Sequence, residues 1–143
     1  MSSIYKFYPG IGLQNINLKK LNSNFEMLCS DIISLKVEET GTIATGSKGL
    51  IYIPYNLTIV GWVVGAYTTS SLIIDVKKCS AESYPCTASI TGGNKIVISN
   101  SLYGENDFLS SWNTQLTGNS WIEFFFESAA GTNKADIILK VTR

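Results

Sequence analysis

Residues 50–67 read LIYIPYNLTIVGWVVGAY. Ile51 and Ile53 are spaced two apart, and so are Leu57 and Ile59. A two-residue apolar period marks a β-strand with one face buried. Pro54 interrupts the run, because proline carries no N–H for a sheet ladder. The stretch therefore reads as two strands with a break between them, and it sets the class of the chain as mainly β.

The same texture extends downstream. SLIIDVKK (71–78) alternates Leu72, Ile74 and Val76. ASITGGNKIVIS (88–99) reads as two short strands around a Gly92-Gly93 turn. SWIEFFFESA (120–129) and ADIILKVTR (135–143) are two more, separated by a turn at Gly131-Thr132-Asn133. From Thr42 onward this makes about seven or eight consecutive strands with no helix between them. The expectation is an antiparallel β-sandwich of jelly-roll type spanning 41–143. Trp62 and Trp121 read as core residues within apolar runs.

Composition narrows the functional classes. Of 143 residues, 45% are hydrophobic and 15% charged, so the chain can bury a substantial core. The 11 Lys and Arg balance 11 Asp and Glu and form no basic stripe, which argues against a nucleic-acid partner. No run of about 18 apolar residues is present, so membrane insertion is not expected. The start, MSSIYKFYPGIGL, lacks a signal-peptide core, which points to synthesis in the cytosol. Cys29, Cys79 and Cys86 make an odd count. Cys79 and Cys86 could bridge a loop or share a metal, but reduced thiols are the favoured reading.

No catalytic constellation stands out. Without histidine, the usual general base and the Ser/His/Asp arrangement are missing. No metal site and no cofactor are expected. Gly10-Ile11-Gly12 is too short to be a nucleotide fingerprint. Glu123 and Glu127 share one strand face but lie about 13 Å apart along it, beyond the span that glycoside hydrolysis uses. Together with Asp75, Glu105, Asp107 and Asp136, they read as a solvated face. Tyr84, Tyr103 and Phe108 fall in expected loops and are the candidates for surface recognition, with a host glycan as ligand.

Several motifs in a fixed order carry a resemblance. They are GSKGLIYIPYNLTIVGW (46–62), the Ile74-Asp75-Val76-x-Lys78 strand, the Ser89-Ile90-Thr91-Gly92 hairpin, and the stretch from Trp112 to the closing Leu139-Lys140-Val141-Thr142-Arg143. Residues 42–143 thereby resemble a β-sandwich domain of tailed-bacteriophage virion proteins, of the tail fibre, baseplate and head-decoration type. The chain departs from the family pattern at Ala88 and at Asn119-Ser120. The resemblance implies a homotrimer located in the virion, built into the particle with other virion proteins, and with no enzymatic role.

The N-terminal region fits such a plan. Residues 1–16 hold Ile4, Tyr5, Phe7, Tyr8, Ile11 and Leu13 among glycines and a proline, and read as an anchoring arm for other virion proteins. Residues 17–40 read as a helix and linker. Leu18, Leu21, Phe25, Leu28, Ile32 and Leu35 are spaced 3, 4, 3, 4 and 3 apart. That narrow stripe suits the oligomerisation seam of a short parallel coiled coil. The competing reading is a helix lying across its own sandwich.

Overall fold

A computed structural model of the protein describes residues 30–143. Eight strands follow in order: β1 (Ser30–Glu38), β2 (Gly46–Ile53), β3 (Leu57–Ser80), β4 (Ala88–Ser89), β5 (Ile96–Asn106), β6 (Gln115–Leu116), β7 (Ser120–Ala130) and β8 (Lys134–Thr142). They form one antiparallel system organised around β3, and no helix occurs among the described residues.

β3 is 24 residues long and spans what the sequence divides into two strands. One of its edges pairs with β8 along its first half (Thr58 to Ala66) and with β7 along its second half (Ser71 to Ser80). Its other edge takes β6, β5 and β4 in turn, with Leu57 opposite Leu116 and Lys78 opposite Ala88. β2 lies outside β7 and β1 outside β8.

The pairing corrects the local reading of 88–99. β4 and β5 do not form a hairpin with each other. They lie in line along the same edge of β3, with the Gly92-Gly93 turn looping out between them. Likewise, β7 and β8 both pair with β3 and run end to end across the turn at Gly131. That turn needs glycine. Gly131 has a φ of 96°, and a Cβ there would crowd the Ser70 backbone 3.0 Å away. The register of β3 breaks between Gly65 and Ser70, on the stretch against which the turn packs.

Alternation along each strand sets the core. Leu72, Ile74 and Val76 from the second half of β3 join Ile59, Trp62 and Val64 from the first half in one buried cluster. Ile122, Phe124 and Phe126 on β7 and Ile137, Leu139 and Val141 on β8 complete it. Each such side chain contributes roughly 1.5–3 kcal/mol by leaving water.

The helical reading of 17–36 is overturned at its C-terminal end. Ser30–Glu38 is strand β1, with Ile33 and Val37 buried and Leu35 packed against the core. Ile32, expected in the seam, is 57% exposed on the other face. Here the 3-4 spacing coincides with a better alternation, Ile33, Leu35, Val37. The neighbouring β8 supplies an edge to pair with. Of the expected seam, Leu18, Leu21, Phe25 and Leu28 lie outside the described residues, as does the anchoring arm 1–16.

Candidate functional site

The three proposed recognition aromatics are all on the surface: Tyr84 is 58%, Tyr103 54% and Phe108 78% exposed. They do not form one platform. Tyr103 lies on β5, not in a loop, opposite Gly65 in the first half of β3. Phe108 follows in the next loop, its N–H donating to Asn106 Oδ1 at 2.8 Å. Tyr84 lies beyond the far end of β3, in the loop between Cys79 and Cys86. Desolvation, then Glu105, raises the Tyr103 hydroxyl above its usual pKa. Lys140, bonded to Asp107 across the same face, is held above the usual lysine range by that contact.

The carboxylates read as a solvated face divide into two groups. Three meet lysine: Asp107 bonds Lys140, Asp136 lies 3.4 Å from Lys36, and Glu127 takes Lys95 on both oxygens at 2.7 and 2.6 Å. Asp75 and Glu123 are instead buried, at 4% and 6% exposure, which corrects their sequence reading. Both stand on the outward row of the β3–β7 pair, since their neighbours Ile74, Val76, Ile122 and Phe124 face the core. Asp75 Oδ1 accepts from Ser89 Oγ at 2.7 Å and from Thr91 Oγ1 at 3.0 Å. This links the Ile-Asp-Val strand to the Ser-Ile-Thr segment, two of the motifs quoted above. Glu123 lies between Leu50 of β2 and Lys77 of β3, with Oε1 unpartnered. The Lys77 ammonium sits over the Phe125 ring, 4.0 Å from its centroid. Trp121 shares this outward row, half-buried and edge-on to Tyr52 at 5.2 Å, so of the two expected core tryptophans only Trp62 is in the core.

A second correction concerns the thiols. Cys79 and Cys86 are joined in a disulfide that closes the loop after β3. An odd cysteine count concealed the pair.

Beside that disulfide lies a cleft of about 370 Å³. Its walls come from the end of β3 (Lys78, Cys79, Ser80) and from the β6–β7 turn (Thr117, Asn119, Ser120). The turn is firmly held. Tyr52 donates to Asn119 Oδ1 at 2.6 Å, the Asn119 N–H donates to Ile53 O at 2.7 Å, and Gly118 N–H donates to Asn56 Oδ1 at 2.8 Å. Asn119 has a φ of 63°, a left-handed conformation that asparagine accepts more readily than most residues. Sequence reasoning missed this cleft because its polar residues come from strand and turn segments 40 residues apart. Among the described residues, no group of three or more Cys, Asp or Glu is placed to hold a metal ion.

No protein-family model and no curated protein matches the chain.

Proposed function

We propose that the chain is a structural protein of a bacteriophage virion, a short homotrimeric fibre or decoration protein displayed on the particle surface. In this reading the β3-centred sheet closes over its core as a jelly-roll-like sandwich and has no catalytic task. Residues 1–16 attach it to other virion proteins. Leu18, Leu21, Phe25 and Leu28 join the three copies.

The observation that carries the reading is where the ordered motifs fall. Asp75, Ser89 and Thr91 bond one another, Trp62 is core, and Leu139 and Val141 close it. The resembling residues thus build the scaffold and not a reacting site, which supports a domain of the resembled fold, while its place on the particle is carried by the resemblance alone. A second reading, a glycan-binding host-recognition module, draws on the exposure of Tyr84, Tyr103 and Phe108.

Light scattering of the full chain over a range of concentrations tests assembly. Three chain masses are expected, falling towards one for Phe25→Asp, because a carboxylate buried at a shared axis is poorly solvated. A chain that stays monomeric at every concentration overturns the trimer. Deleting residues 1–16 should abolish incorporation into particles and leave the trimer intact.

A further inference from the structure

We propose that the cleft between the end of β3 and the β6–β7 turn binds a sugar acid, a hydroxylated ring bearing one carboxylate. The inward row of the β3–β7 pair changes chemistry as it approaches the cleft. It runs Ile74/Phe126, Val76/Phe124, Lys78/Ile122, Ser80/Ser120. The first two pairs are fully buried apolar side chains. The last two bring a lysine and two serines to positions where a row serving only the core would stay apolar. Lys78, Ser80 and Ser120 all line the cleft.

The donor set defines the ligand class. Among the described residues lining the cleft, Lys78 is the only charged one. It takes part in none of the ion pairs among the described residues. Because Asn119 Oδ1 already accepts from Tyr52, its Nδ2 is left as a donor. Ser120 Oγ donates to Thr117 O at 2.5 Å, which leaves its oxygen as an acceptor. One ammonium and one amide donor suit a single carboxylate. The Ser120 oxygen as acceptor, and Ser80 Oγ, which already shares one hydrogen bond with Ser83 Oγ at 2.8 Å, suit sugar hydroxyls. A phosphate dianion would gain less here: no arginine lines the cleft, and the N–H groups of Gly118 and Asn119 are already bonded to Asn56 Oδ1 and Ile53 O, which leaves one ammonium against two charges.

Size and rigidity agree. About 370 Å³ lies within the usual range of small-molecule sites and accommodates one sugar ring. The disulfide fixes one wall and the three hydrogen bonds to the turn fix the other, so little ordering remains to oppose binding. Binding of this kind is independent of the particle location proposed above, and either can fail without the other.

The test is a titration of the full-length protein with sodium glucuronate, followed by amide chemical shifts. Glucose, acetate and inorganic phosphate serve as parallel probes. The expected result is saturable shifts confined to 78–80 and 117–120, with a dissociation constant on the order of 1 mM. Glucose and acetate should each bind at least tenfold more weakly, and Lys78→Met should weaken glucuronate by a similar factor. If Lys78→Met loses a dispersed spectrum, Ser80→Ala replaces it, with a several-fold weakening expected. A glucuronate-containing oligosaccharide that shifts the same amides would show that the cleft accepts a chain terminus as well as the free acid. No saturable shift with glucuronate, or phosphate binding as tightly as glucuronate, overturns the proposal.

Discussion

Replacing Asp75 with alanine is the most informative perturbation of this fold. The carboxylate is 4% exposed and accepts from two hydroxyls, Ser89 Oγ at 2.7 Å and Thr91 Oγ1 at 3.0 Å. Hydrogen bonds to a charged group contribute about 1.5–3 kcal/mol each, so the pair holds roughly 3–6 kcal/mol before offsets. Removing the buried carboxylate also relieves its desolvation, which opposes the loss. Ser89 Oγ and Thr91 Oγ1 lie 3.1 Å apart and can still bond each other, which limits the orphaned donors to one. The net expectation for Asp75→Ala is about 3 kcal/mol of lost stability. Asp75→Asn keeps an acceptor in place and should cost about 1 kcal/mol. Urea unfolding of Asp75→Ala, Thr91→Val and the double variant measures both the cost and the coupling, expected at about 1–2 kcal/mol. An Asp75→Ala variant within 0.5 kcal/mol of the parent, roughly the size of an ordinary surface change, would refute the link between these segments.

Three further outcomes follow from named contacts. Gly104→Ala drives a Cβ into Ile98 Cγ2, a stiff β-branched side chain in the core, and should cost about 2 kcal/mol by thermal unfolding. Paired Cys79→Ser and Cys86→Ser substitutions open a short loop and should cost about 2 kcal/mol, an effect that reductant reproduces in the parent but not in the variant. Glu39 is held below its ordinary pKa of 4.5, first by Lys48 and then by the Ala44 N–H. Its stabilisation is therefore present above 4.5 and is lost as pH falls through the lower folded value. Amide exchange at Ala44, relative to an unstructured peptide at the same pH, should rise in that window in the parent and not in Glu39→Gln.

Much of the β architecture is legible in the sequence. The alternations Ile51/Ile53 and Leu72/Ile74/Val76 predict strand faces that the fold buries or half-buries, and Pro54 lies between β2 and β3 as expected. Connectivity is harder to read. Thr68-Thr69-Ser70-Ser71 separates two apolar alternations, yet β3 continues through it: Ser70 pairs with Ser101 and Ser71 with Ala130, while Thr68 and Thr69 fall in the break in register. Gly131 signals a hairpin, but β7 and β8 run end to end since each finds β3 before it finds the other. Residues 32–37 satisfy a heptad and an alternation together, and only the free edge of β8 favours the strand. Burial of Asp75 and Glu123 is invisible locally, because a charged residue on an outward row is normally solvated. The cleft needs two segments distant in sequence to meet.

We propose above that this protein stands on the surface of a bacteriophage particle. Electron microscopy of purified particles labelled with antibody to the full chain tests it directly. Label is expected at fixed, symmetry-related positions on the particle exterior. Unlabelled particles, with all of the protein free in the lysate, would contradict it.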